Sequence, residues 1–136
     1  MRFSEVVKVD SKGRVTIPLV IREALNIVEG MTLILVADSE KKEIVLTPLP
    51  VESEKLIEIK VELQDVPGAL AKAVERLAAL NVDQVTTQCT TVKRGEYAEC
   101  IIIADLSKSD KSLNEVKEEL LKIREVKLVQ VRQLQR

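Results

Sequence analysis

The clearest pattern in the chain is Leu56-Ile57-Glu58-Ile59-Lys60-Val61-Glu62-Leu63, where odd positions are apolar and even positions mostly polar. A period of two predicts a strand with one buried face. Asp65-Val66-Pro67-Gly68 predicts a turn, after which Leu70, Ala73, Val74, Leu77 and Leu80 recur at helical spacing as far as Asn81. Val85 to Val92 is Thr-rich and β-branched, Arg94-Gly95 marks a hairpin turn, and Tyr97 to Leu106 returns as a second strand of the hairpin. Ser109 and Asp110 are candidate helix caps, and Ser112-Leu113-Asn114-Glu115 has the form of a capping box. Leu113, Val116, Leu120 and Leu121 give the helix that follows an apolar face, and Val126 to Leu134 reads as a last strand. The order is βαββαβ, a ferredoxin-like plan with two helices on one face of an antiparallel sheet.

The first fifty residues read differently. Val6, Val7 and Val9 predict a short strand, Ser11-Lys12-Gly13 a turn, and Arg14-Val15-Thr16-Ile17 a returning strand. Pro18 suits the first position of a helix carrying Leu19, Ile21, Arg22, Ala24 and Leu25, which Asn26 can close in a left-handed conformation. Glu29-Gly30 is a turn, Leu33, Leu35 and Ala37 begin a third strand, and Ile44-Val45-Leu46 makes a fourth. Four short strands and a stub of helix cannot bury this much Val, Ile and Leu in one copy, and an intertwined dimer resolves that.

Pro48-Leu49-Pro50-Val51-Glu52-Ser53-Glu54-Lys55 reads as a linker. The expected division is therefore a domain at 1–49, a linker at 50–55 and a second domain at 56–136, with an overall α+β class. Composition narrows the function. The 136 residues carry 21 Lys+Arg against 22 Asp+Glu, so nucleic-acid binding would need local clustering rather than net charge. The chain has no His, which removes His-ligated metals and His acid–base chemistry. Two Cys are too few for a disulfide scaffold or a four-thiolate metal site, and one Phe, one Tyr and no Trp leave no stacking platform for single strands. No GxxxxGK[ST], GxGxxG or GxSxG motif is present. A binding or regulatory protein without cofactor is expected, not an enzyme. No apolar run is long enough for a membrane span, and Met1-Arg2-Phe3-Ser4-Glu5 lacks the core of a signal peptide, which points to the cytoplasm.

Val9-Asp10-Ser11-Lys12-Gly13-Arg14-Val15-Thr16-Ile17-Pro18, followed by Ile21-Arg22-Glu23-Ala24-Leu25 and Glu29-Gly30, closely resembles the AbrB/SpoVT swapped-hairpin domain over about residues 3–49. The resemblance implies an obligate homodimer, an intertwined β-barrel of interleaved hairpins, that binds duplex DNA through Arg and Lys. Lys8, Lys12, Arg14 and Arg22 are the candidate DNA contacts. Twofold symmetry would bring about eight cations to one face, enough to bind phosphates by counterion release. The chain departs from that pattern at Val7 and Glu23, where related DNA binders often carry Arg.

In the second half, Leu63-x-Asp65-Val66-Pro67-Gly68-x-Leu70 at the first strand–helix junction, with Leu80-Asn81-Val82-Asp83 before the next strand, resembles an ACT domain over about residues 55–135. The resemblance implies side-by-side pairing of sheets and a small effector, often an amino acid, at the pair interface. Asp65, Val66, Gly68, Ala69 and Asp83 are the candidate effector residues: a carboxylate for an α-ammonium group, free N–H groups at a helix start for a carboxylate, and a glycine that permits close approach. The same turn can also be structural, with Asp65 capping the helix.

If Arg94-Gly95 is a two-residue loop, Lys93 faces Glu96, and counting back sets Cys89 opposite Cys100. The pair is expected as two small apolar residues lining the sheet under the helices, with a disulfide as the lesser alternative. Together these readings predict a DNA-binding transcriptional regulator whose ACT-like domain senses a small effector, homodimeric through its N-terminal domain and tetrameric or larger through ACT pairing. The alternative is an antitoxin or assembly protein whose C-terminal domain only mediates protein contacts.

Overall fold

A computed structural model describes residues 1–49 and 53–134. The chain divides into two compact units, Met1–Pro50 and Val51–Arg136. The part of the expected linker at residues 50–52 lies outside the described residues.

The first unit contains α1 (Leu19–Ala24), β1 (Leu33–Asp38) and β2 (Glu43–Pro48). β1 and β2 form an antiparallel hairpin in which Leu35 faces Leu46 and Ala37 faces Ile44. Pro18 stands one residue before α1 as its N-cap, and Asn26 beyond its end has φ 54°, the left-handed closure its short amide side chain tolerates. The two N-terminal strands expected at 6–9 and 14–17 are not formed. Those residues flank a turn closed by the Asp10 N–H donating to the Arg14 carbonyl (2.9 Å) and the Gly13 N–H donating to the Asp10 carbonyl (3.1 Å). Each segment is the other's expected partner across this turn, but no ladder joins them beyond the turn's own bonds. Among the described residues of this unit only Ile34 is a buried hydrophobic residue. Val6, Val9, Leu19, Val28, Leu35 and Ile44 are more than half exposed.

The second unit runs β3 (Leu56–Gln64), α2 (Ala69–Ala79), β4 (Asp83–Lys93), β5 (Tyr97–Asp105), α3 (Leu113–Leu121) and β6 (Val126–Gln133). The expected βαββαβ order is present. Its sheet is antiparallel throughout, ordered β4-β5-β3-β6. Alternation in β3 places Ile57, Ile59, Val61 and Leu63 in one core with Cys100, Ile102 and Ala104 of β5 and Val129 of β6. Ala73 and Leu77 of α2 and Val116 and Leu120 of α3 close that core from the helix side. Ser112 caps α3 in a reciprocal box: its hydroxyl accepts from the Glu115 N–H and its own N–H donates to the Glu115 carboxylate (both 3.1 Å). Among the described residues no helix is long and apolar enough to cross a membrane.

Candidate nucleic-acid interface and effector site

In the first unit two of the four candidate cations, Lys12 and Arg14, share one turn. The Asp10 carboxylate organises it: Oδ1 accepts from the N–H groups of Lys12 and Arg14 (both 2.9 Å), and Oδ2 accepts from Arg14 Nε (2.8 Å). Gly13, at φ +78°, supplies the left-handed step that lets the chain reverse within this loop. The hydrogen bonds from Arg14, backbone first and then side chain, hold the Asp10 carboxyl below its usual range. The bridge uses one of the five N–H donors of the Arg14 guanidinium. It therefore orients Arg14 without consuming its capacity to bind a phosphate or a base edge. Lys8, Lys12 and Arg14 are exposed, and Arg22, in the last turn of α1, is half-buried. The turn groups Lys12 with Arg14; Lys8 precedes it on an extended segment and Arg22 lies on a separate element.

In the second unit Gly68 is the N-cap of α2 with φ 85°, and no atom lies within 4 Å of where a Cβ would stand, so the backbone there is open to approach. Val66 is exposed and Ala69 is buried at the start of the helix. Asp65 does not cap α2. Its Oδ2 accepts from the Gly95 N–H (2.8 Å), while its own N–H donates to the Glu96 carbonyl (3.1 Å). Asp65 thus ties the tip of the β4–β5 hairpin to the β3–α2 turn. The hairpin loop is longer than the two-residue expectation: Lys93 pairs with Tyr97, and a register shift between Thr91 and Lys93 absorbs the difference. Asp83 is at the opposite end of the sheet. Gln64, next to Asp65, pairs with Tyr97, whereas Asp83 pairs with Asp105. At about 3.3 Å per residue along β5 these positions are roughly 25 Å apart. One chain does not bring Asp65 and Asp83 together.

Asp105, which sequence reasoning missed, accepts three hydrogen bonds. It is 7% exposed, and its Oδ1 accepts from the Ser53 hydroxyl (2.7 Å) and the Ser107 N–H (2.9 Å), its Oδ2 from the Ser107 hydroxyl (2.9 Å). Burial pushes this carboxyl up, but the bonds from Ser53 and Ser107, with the Lys108 charge, hold it below its ordinary value. Ser53 in turn accepts from the Lys55 N–H (3.0 Å), so this cluster fixes the entry of the chain into the second unit. Nothing local in the sequence marks a contact spanning fifty-two residues. A second buried acid, Glu125, pairs with Lys72 beside a cavity of about 360 Å³ that Arg76 and Arg124 also line.

The cysteines lie opposite each other, as counting along the hairpin predicts, but they are joined as a disulfide rather than held as thiols. Cys100 is buried and Cys89 is exposed, because the outer strand β4 extends beyond the core the helices close. Among the described residues no group of three or more Cys, Asp or Glu is placed to hold a metal ion.

The geometry consists of a turn bearing Lys12 and Arg14 on a unit with little buried apolar surface, and an open Gly68 turn at the start of α2 in the second unit. Comparison adds a family for the first. Residues 6–54, little more than a third of the chain, match the family described as antidote-toxin recognition MazE, bacterial antitoxin. This segment is similar to the MazE/AbrB-like antidote domains of swapped-hairpin type. The comparison with curated proteins returns no match.

Proposed function

We propose that the protein is a cytoplasmic, DNA-binding transcriptional regulator, not an enzyme, in which two first units interleave to form the binding surface. The observation that carries this reading is the first unit itself. It leaves most of its Val, Leu and Ile exposed and presents Lys12 and an Asp10-braced Arg14 on one turn. Pairing with a second copy would bury the apolar set and double the cations, with Lys8 and Arg22 flanking them. The MazE/AbrB-like match over residues 6–54 supports the same assembly.

In this reading the second unit is an ACT-type, ferredoxin-like domain that pairs through β4. Two edges bound its sheet. β6 carries Lys127 and Arg132, the kind of charge that discourages edge pairing. β4 has no charged residue from Gln84 to Val92. Antiparallel pairing of two β4 strands would set Asp83 of one copy near the Asp65–Ala69 turn of the other, assembling an amino-acid site that one chain does not complete. Effector binding there would then favour one arrangement of two DNA-binding dimers, a coupling typically of about 1–3 kcal/mol.

The test is fluorescence anisotropy of a labelled duplex from the protein's own upstream region, titrated at several salt concentrations with and without the twenty amino acids. Salt-dependent binding that shifts with amino acids supports both units' roles. Binding without a shift removes the sensor role, and no binding at low salt removes the regulator reading. The match to an antitoxin family favours one second reading, an antitoxin whose second unit mediates protein contacts. Here the second unit has its own core and is not an extended tail. Co-purification of a stoichiometric partner protein in place of DNA binding would establish the second reading.

A further inference from the structure

The disulfide is asymmetric in a way that the DNA-binding and effector roles do not use. Cys89 and Cys100 are the only cysteines in 136 residues, and the register of the β4–β5 hairpin sets them directly opposite each other. Cys89 is exposed on the outer strand of the sheet, whereas Cys100 is 1% exposed within the apolar core beside Ile102. A solvent-borne nucleophile therefore meets one sulfur and not the other. We propose that Cys89–Cys100 is a thiol–disulfide exchange site for low-molecular-weight thiols, entered only at Cys89. It is independent of the proposed regulator function.

The chemistry balances with the external thiol as reductant. A thiolate RS⁻ attacks Cys89 Sγ, the protein S–S bond breaks, and Cys100 Sγ leaves with the electron pair and takes up a proton. The product is a mixed disulfide on Cys89 and a buried thiol at Cys100. A second thiolate attacks the R-group sulfur, releasing RSSR and the Cys89 thiolate, which is then protonated. Overall two RSH give up two electrons to form RSSR, and the protein disulfide becomes two thiols. The reverse sequence re-forms the staple. Burial keeps Cys100 from external thiols, so capture of the incoming sulfur falls on Cys89. The consequence is local: the staple closes a short loop and ties β4 to β5, so its opening leaves β4, the strand with the uncharged edge, held by its ladder alone.

The experiment uses the full chain and glutathione as probe. Protein prepared without reductant is expected to show no free thiol under denaturing conditions, and two after native incubation with excess reduced glutathione. Acid-quenched samples taken early should carry one glutathione per chain, mapped by peptide mass spectrometry to Cys89. Cys100→Ser should take up one glutathione from the oxidised form, and Cys89→Ser none until it is unfolded. Amides of Asp83–Lys93 should exchange at least about tenfold faster after reduction, with β6 unchanged. Two thiols that resist oxidation by oxidised glutathione, a disulfide inert to glutathione in the native state, or an adduct on Cys100 would each overturn the proposal. The early-quench mapping uses the unsubstituted protein, so the test survives if either variant fails to fold.

Discussion

Replacing Asp105 by Ala should cost the second unit about 3 kcal/mol, and the loss should shrink in acid. The structure sets the figure. The bond from the buried Ser53 hydroxyl to a carboxylate is worth about 1.5–2 kcal/mol, because its removal leaves that hydroxyl without its charged acceptor. The Ser107 N–H adds about 1 kcal/mol, while the Ser107 hydroxyl is at the surface where water replaces the carboxylate at little cost. Asp105→Asn keeps an acceptor for Ser53 and should lose about half as much. Urea unfolding followed by circular dichroism would give ΔG and m for the three proteins, with m unchanged if only stability moves. The carboxyl is held below its ordinary value of 3.8 in the folded state. Its ionisation therefore contributes stability that is full above that value and is lost as pH falls through the lower folded value. The gap between the parent and Asp105→Ala should be constant near neutrality and shrink below pH 3.8. A gap under about 0.5 kcal/mol at pH 7, or one that does not narrow in acid, would refute the account of this cluster.

Other expectations concern both units. Arg14→Ala should lower the slope of log affinity against log salt by about 2 per dimer, one phosphate contact per copy, while sedimentation shows the dimer intact; an unchanged slope would place the DNA contact elsewhere. A fragment of residues 1–49 should unfold at a midpoint that falls on dilution, since its apolar residues find cover only in a second copy; a concentration-independent midpoint would show a self-sufficient monomer. Ser112→Ala should destabilise the second unit by about 1 kcal/mol through loss of the bond its hydroxyl accepts from the Glu115 N–H, measured by the same urea titration.

What the sequence discloses of this molecule is what local forces decide. The alternation of β3, the capping box at Ser112, the left-handed Asn26 and the pairing of Cys89 with Cys100 depend on residues close along the chain, and each is present in the structure. The two N-terminal strands, expected to pair across the Ser11–Gly13 turn, are absent: the β-branched residues alone do not form a ladder there. Asp65 illustrates another kind of failure: its position invites helix capping, but the fold delivers the Gly95 N–H from thirty residues away, and that donor prevails. The exposure of Cys89 was hidden for a related reason. Periodicity places a residue on a face of the sheet, and only the packed structure shows how far helices cover it. The turn that groups Lys12 with Arg14 is legible in the local sequence, whereas the separation of Asp65 from Asp83 requires the strand register.

The position of β3 inside the sheet also governs how the second unit is made. β3 is the first strand of that unit to leave a ribosome, yet its partner β6 follows more than sixty residues later, with Ile57 opposite Gln133 and Leu63 opposite Val126. Until β6 arrives, one flank of β3 has no ladder and the Val129 side of the core stays open. Such long-range closure makes folding slow and late rather than progressive. Nascent chains are therefore expected to stay sensitive to protease, and to recruit chaperones, until translation has passed β6.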